Sequence, residues 1–408
     1  MSIASFIKDE DPQGSSGQSG APASAPPALA KSGLRERRHS IDVGRGYTLW
    51  LSFLYIPLVA ALKQFPPSET NSFLITQFTH TPWNGFRYVD FGYPSYLFLL
   101  AASMVLTYER RRDSGVTRRQ FVLQVAWRSI LLWFFACFLY GGFTKSINEI
   151  PYNQVFFQLA GCILLTGIAV ATLSLRWQII TLVMLLLAQS SIMSFVYVPD
   201  YGRGDFSQAG NAQNYLQDQF ARFLTRTFWP SESFDYMRRN AISFCFDVPK
   251  MFGICLIGLI QGRLLLSDLS RQKQVYVLIG SGIAMLDAGW LWDQWIPINK
   301  HLWTPSFTLF TAGVVNLHLA VLMQLSDIWG LRKSLFPFAL FGIYPLASWA
   351  SFYLLPFDNY AQRLFGPGFP PILGAYQPVL LAFTQVGLCW VFIYYLHRLR
   401  HRGVRLSA

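Results

Sequence analysis

Ten stretches of this chain run for about twenty residues with hardly a charge among them, the length an α-helix needs to cross a bilayer. They fall at approximately 47–63, 89–107, 121–142, 154–174, 178–197, 250–267, 275–293, 305–328, 335–355 and 375–396. Inside lipid every backbone N–H and C=O must find a partner within the protein, which leaves helices for segments of this length. The expected fold is therefore all-α, a polytopic membrane protein with about ten transmembrane helices. Composition agrees: 52% of the 408 residues are hydrophobic and only 13% charged, roughly half the charged share of a soluble domain.

Basic residues set the orientation, because short cytoplasmic loops collect Lys and Arg. Arg35, Arg37, Arg38 and Arg45 precede the first run, and "ERRRDSGVTRR" (109–119) follows the second. Arg176 follows the fourth run, Arg263, Arg271 and Lys273 border the end of the sixth, and Arg332 and Lys333 follow the eighth. Arg398, Arg400, Arg402 and Arg405 follow the last. Every second loop is basic, so both termini are expected in the cytoplasm. The formal charge of +12 is thereby explained by topology rather than by nucleic acid. Residues 1–38 are Ser/Gly/Pro/Ala-rich and read as a disordered cytoplasmic tail. The membrane domain spans 39–397, and 398–408 forms a basic tail. An outside loop at 198–248 contains "NAQNYLQDQFARFLTRTF", whose pattern suits a short helix capping something at the membrane surface. The five cysteines show no CxxC spacing. Four read as small buried hydrophobes, Cys245 bordering an outside loop, and no metal site is expected.

This topology puts "HTPWNGFRYVD" (His80 to Asp90) in the first outside loop, together with "WDQWIPINKHLW" (Trp292 to Trp303). Asn84-Gly85 is a turn signal, Trp83 suits an interface, and Asp90 either caps the second helix or serves the histidine. Gly92 and Pro94 just beyond suggest broken backbone lining a wet cavity. A free imidazole titrates near pH 6.5, so His80 has the chemistry to take a proton from an amine or hydroxyl, or to carry an acyl group itself. The faces of Trp83, Trp292 and Trp303 would suit the apolar faces of a sugar. Charges inside apolar runs are expensive, about 2.5–3.5 kcal/mol each at mid-membrane. Asp42 and Arg45 just before the first run, Arg128 inside the third and Asp327 near the end of the eighth are either boundary salt bridges or a charged cytoplasmic mouth. Such a mouth would suit a phosphate-rich ligand, which arginine grips bidentately.

Taken together these motifs resemble the transmembrane N-acetyltransferases typified by the lysosomal heparan-alpha-glucosaminide N-acetyltransferase and its bacterial relatives. The matching segments are Ile41-Asp42-Val43-Gly44-Arg45-Gly46; His80, Trp83, Asn84, Gly85, Asp90 and Pro94; Ala126-Trp127-Arg128-Ser129; and "PINKHLWTPSFTLFTAG" (297–313). They occur in the family's order over residues 40–350. The chain departs from that pattern at Ile56, where the family carries an Asn, at Gly342-Ile343-Tyr344-Pro345, where it carries Gly-Met-Asn, and at Gln158-Leu159, where it carries a Gln-Arg pair.

The resemblance implies acetyl-CoA bound from the cytoplasmic side, an amino sugar approached from the other, and transfer at His80. The expected function is a membrane acyltransferase moving an acetyl or other acyl group to a sugar amine or hydroxyl. His80 is the expected base or acyl carrier, with Asp90 orienting it. Trp83, Asn84, Asn299, Lys300 and Trp303 are expected to hold acceptor or acyl carbonyl. Asp42, Arg45 and Arg128 are expected at the CoA phosphates. The expected partners are the bilayer, acyl-CoA and a glycan acceptor, with a homo-oligomer compatible. Lacking a signal sequence, and with short loops and modest length, the chain suits a bacterial inner membrane, or a lysosomal membrane in a eukaryote. The rival expectation is a transporter or a catalytically inactive component of polysaccharide assembly.

Overall fold

The computed structural model describes residues 38–142, 144–145, 149–228, 243–366 and 374–406. Among these there is no strand, and nine helices are long and apolar enough to cross a bilayer, or ten if one bent pair is counted as a span. The spanning helices are α1 (His39–Leu62), α3 (Gly92–Asp113, continuing a 3-10 turn at Tyr88–Phe91), α4 (Arg118–Gly141), α5 (Val155–Thr172) and α6 (Leu175–Phe195). They continue with α8 (Ser243–Leu265), α9 (Arg271–Trp292), α10 (Pro305–Met323, ending in a π turn at Gln324–Ile328) and α14 (Gln377–Leu406). The bent pair is α11 (Arg332–Ile343) and α12 (Pro345–Leu354), and α2 (Glu69–Phe78), α7 (Ala212–Thr227) and α13 (Phe357–Phe365) are shorter. The chain is an all-α polytopic membrane protein. Its most enclosed span contains α3, with 78% of its apolar window buried, whereas the windows of α4 and α6 are 17% buried and face outward.

Local sequence explains the helix ends. Thr117 and Gln120 form a reciprocal capping box that opens α4, and Thr304 caps α10 with Pro305 in its first turn, both satisfying otherwise orphaned N–H groups. Arg110, Arg111 and Arg112 close α3, where positive charge complements the helix dipole.

Several boundaries differ from expectation. α1 starts at His39, so Asp42 and Arg45 lie inside it rather than before it. They form an ion pair one turn apart at 2.5 Å, which lets a polar first turn join an apolar helix. Arg38, assigned to the tail, is buried and donates to the Leu265 carbonyl; residues 1–37 lie outside the described residues. The first outside loop contains α2, opened by a Ser68 cap. α14 runs on to Leu406, absorbing the stretch expected as a basic tail. The ninth span is broken: α11 and α12 meet at 76°, because Pro345 has no N–H to continue the helical ladder.

The expected short helix is α7, opened by an Asn211 cap; residues 229–242 of the same loop lie outside the described residues. Cys162, Cys255 and Cys389 are buried, Cys137 is half-buried and Cys245 is exposed. Asp327 is a clasp rather than part of a mouth. Its carboxylate accepts from the Ser40 and Ser326 hydroxyls at 2.7 and 2.9 Å, and Arg271 donates to its carbonyl.

One close approach and one ordinary packing contact position the centre. α11 crosses α1 with Gly46 and Gly342 in contact, and a Cβ on either would collide with the Phe338 or Asp42 carbonyl of the other helix. Gly92, opening α3, packs against Ser52 and Leu51 of α1. Ser52 lies ten residues before Leu62 at the end of α1, about 15 Å along the axis at 1.5 Å per residue. The loop carrying His80 and Asp90 therefore descends into the bundle before α3 begins.

Candidate active site

Asp90 is the buried centre of this loop, with no solvent exposure of its side chain. Its Oδ2 accepts from the Thr81 hydroxyl at 3.0 Å, the Arg87 N–H at 3.1 Å and the Thr81 N–H at 3.4 Å. Its Oδ1 faces two nitrogens, His80 Nδ1 at 2.7 Å and Lys300 Nζ at 3.1 Å. Asp90 thus does both things its position suggested: it caps the 3-10 turn and it holds the imidazole.

Lys300 Nζ also lies 2.8 Å from His80 Nδ1, so the three groups form a triangle. A carboxylate only accepts and an ammonium only donates. The arrangement that satisfies both has Nδ1–H and the ammonium each donating to Oδ1, which puts the ring's basic lone pair on Nε2, 3.4 Å from Lys300 Nζ. Burial pulls the Lys300 ammonium below the usual lysine value, and the Asp90 charge opposes that shift.

The Lys300 loop is built to deliver that ammonium. The Asn299 amide accepts from the Leu302 N–H and donates to Asn84 at 2.9 Å, and Gly85 N–H donates to the Ile298 carbonyl at 2.7 Å. Gly85 sits at φ +106°, a region glycine enters without strain. Trp303 has φ +53° without being glycine, strain of about 1–3 kcal/mol that surrounding structure must hold. Gln189 of α6 donates to the Trp303 and Leu302 carbonyls. His301 Nε2–H donates to the Thr81 carbonyl, and its ring stacks on Trp83.

His80 and Lys300 open onto a cavity of about 240 Å³ lined also by Thr48, Leu49, Ser52, Tyr55 and Ile56 of α1, Tyr93 and Tyr96 of α3, Val155 and Leu159 of α5, and Trp349 and Tyr353 of α12. The His80 side chain is 39% exposed to this space, and its ring lies 5.4 Å from that of Tyr55. Trp83, Asn84, Asn299 and Trp303 do not line it. The two asparagines tie the loops together, Trp83 donates to the Phe206 carbonyl, and Trp303 is buried behind Tyr93.

A second cavity, of about 800 Å³, opens beside the first turns of α1. Its lining includes Asp42, Arg45 and Arg128, which the structure therefore does bring together, with Arg38, Arg110, Arg111 and Arg400. Six arginines against one aspartate give it a positively charged lining, of the sign that attracts anions.

The two chambers share walls. Along α1 the last arginine-side residue is Arg45 and the first His80-side residue is Thr48, about 4.5 Å apart in rise. On α12, Pro345 lines one and Trp349 the other, about 6 Å apart. The residues that motif reading missed here are Thr48, Ser52, Tyr55 and Tyr96. For the first three the signal was spacing: positions 41, 45, 48, 52 and 55 repeat at three and four along one face of α1.

Fold and site together define a class: an integral membrane protein of helices, with a His–Asp–Lys centre facing one chamber and an arginine cluster facing the next. No protein-family model matches the chain, and no curated protein matches it.

Proposed function

We propose that this protein is an acyltransferase that moves an acyl group, acetyl in the first instance, from acyl-CoA to an amine or hydroxyl of a sugar across the membrane. The observation carrying this reading is the pairing of the two chambers. The arginine chamber suits the phosphates of CoA, and the His80 chamber begins one helical turn further along α1. The membrane is a bacterial inner membrane, or the lysosomal one in a eukaryotic cell, with both termini and the arginine chamber cytoplasmic. A thioester held by its phosphates would have its acyl end at the partition.

In the transfer, the acceptor attacks the thioester carbonyl and gives its proton to His80 Nε2. The carbon–acceptor bond forms, the carbon–sulfur bond breaks, and the thiolate takes the proton back from the imidazolium. Asp90 keeps the imidazole in the tautomer this requires, as in other His–Asp pairs. If His80 instead carries the acyl group, Nε2 is the attacking atom.

The test is purified protein with labelled acetyl-CoA and glucosamine. Transfer that disappears in His80→Ala supports the reading, and label retained on the wild-type protein without acceptor identifies the acyl-imidazole route. Full activity in His80→Ala removes the assigned base. CoA binding without turnover on any amine or hydroxyl favours an inactive scaffold, and unmodified solute accumulating in sealed vesicles favours a transporter.

A further inference from the structure

Six side chains with hydroxyls line the His80 chamber, and three of them are committed. Thr48 donates to the Arg45 carbonyl at 2.7 Å, Ser52 to the Thr48 carbonyl at 2.8 Å, and Tyr93 to the Val155 carbonyl at 3.5 Å. Tyr55, Tyr96 and Tyr353 make no hydrogen bond among the described residues, and of these three it is Tyr96 whose ring packs against both large core clusters. The Arg45 charge, which belongs to the other chamber, lies within electrostatic reach of its hydroxyl.

Position sharpens the point. Tyr96 is the last residue of α3 on the His80 side, and the next lining residue on that helix is Ser103, on the arginine side. About 10.5 Å of rise separates the two, so Tyr96 is the donor on α3 that lies on the side of the His80 chamber toward the arginines, its ring held by packing. A thioester whose carrier occupies the arginine chamber and whose acyl group meets His80 would place its carbon–sulfur bond there.

We propose, resting on the acyl-transfer reading, that Tyr96 is a further catalytic residue whose hydroxyl donates a hydrogen bond to the sulfur as the carbon–sulfur bond breaks. The bond's electron pair goes to sulfur, and the acceptor's proton goes to His80 and from there to the thiolate. Tyr96 keeps its own proton throughout. Arg45 adds positive potential on the side where the negative charge develops. Donors fixed before the charge appears are effective because they need no reorganisation in the transition state.

Tyr96→Phe removes the oxygen and keeps the ring. The expected result is a kcat for acetyl-CoA lower by about 100-fold with KM unchanged, since the arginines still hold the carrier. The loss is expected to shrink for a thioester of a more acidic thiol, whose departing sulfur needs less help. A purely packing role would slow every thioester alike. Should Tyr96→Phe fail to fold, fluorotyrosine placed at position 96 preserves the shape and alters only the acidity of the donor, and kcat is expected to change with fluorination. Wild-type kcat in Tyr96→Phe, a loss independent of the leaving group, or indifference to fluorination overturns the proposal while the acyltransferase stands. A wild-type protein that transfers from no thioester overturns both.

Discussion

At Asp90 a single carboxylate gathers five donors from three parts of the chain: the His80 ring, Lys300, both polar groups of Thr81, and the Arg87 backbone. Asp90→Asn keeps the shape but replaces one accepting oxygen with an NH2 donor, which turns the imidazole the wrong way. Activity is expected to fall by about 10³-fold or more, with the protein still folded, measured as acyl transfer alongside a thermal melt. Under the proposed acyl transfer, Lys300 is expected to set an alkaline limit. Its folded value lies below the ordinary 10.5, so rising pH removes the ammonium's proton, and with it the Asp90 pairing, before a free lysine would lose it. The rate is expected to decline below pH 10.5, and Lys300→Arg, which stays charged, is expected to move that decline upward in a pH–rate profile. His80, Asp90 and Lys300 were legible because an imidazole, an acid and an amine beside turns between apolar runs are rare in such a chain. Trp83, Asn84, Asn299 and Trp303 read as holders of acceptor or acyl carbonyl, whereas none of them lines the His80 chamber. Whether a loop amide faces a ligand or another loop depends on how two segments 215 residues apart dock, and no local pattern encodes that.

Among the helices, periodicity located the spans well but placed their polar ends poorly. The first run reads as starting near residue 47 because Asp42 and Arg45 interrupt its apolar pattern; pairing removes the interruption and the helix begins at His39. The broken ninth span was hidden for a related reason, since α11 and α12 form one continuous apolar stretch and only Pro345 marks the 76° bend. The α1–α11 crossing depends on two residues without side chains. Gly46→Ala is expected to destabilise the protein by about 1–3 kcal/mol through overpacking, seen as a lower melting temperature in detergent. The colliding atom is backbone, which has no rotamer to move away. A Gly46→Ala protein as stable as wild type would mean that the helices do not cross here.

Across the whole molecule, charge is sorted between chambers. Arg128 contributes to the arginine chamber and to nothing in the other. Arg128→Glu is expected to raise KM for acetyl-CoA at least about tenfold, consistent with loss of a charge-assisted phosphate contact. Turnover of a short thioester lacking phosphates is expected to change little. Equal effects on both donors would detach the arginines from carrier binding. The sequence named three members of this chamber, Asp42, Arg45 and Arg128, and read Arg38, Arg110, Arg111 and Arg400 as markers of topology. Both descriptions apply to an arginine at a membrane boundary, and only the packing of α1, α3, α4 and α14 distinguishes them.

The shared stripe on α1 also limits how such a protein could diversify. Each residue added to or lost from a helix turns everything beyond it by about 100°, so an indel at this boundary would spin one compartment's lining toward lipid while leaving its neighbour intact. Variation in what the protein accepts is therefore confined to substitutions that keep register, or to walls serving a single compartment. Val155 and Leu159 are such positions on one side and Arg128 on the other, and there novelty can be sampled without disturbing the common axis.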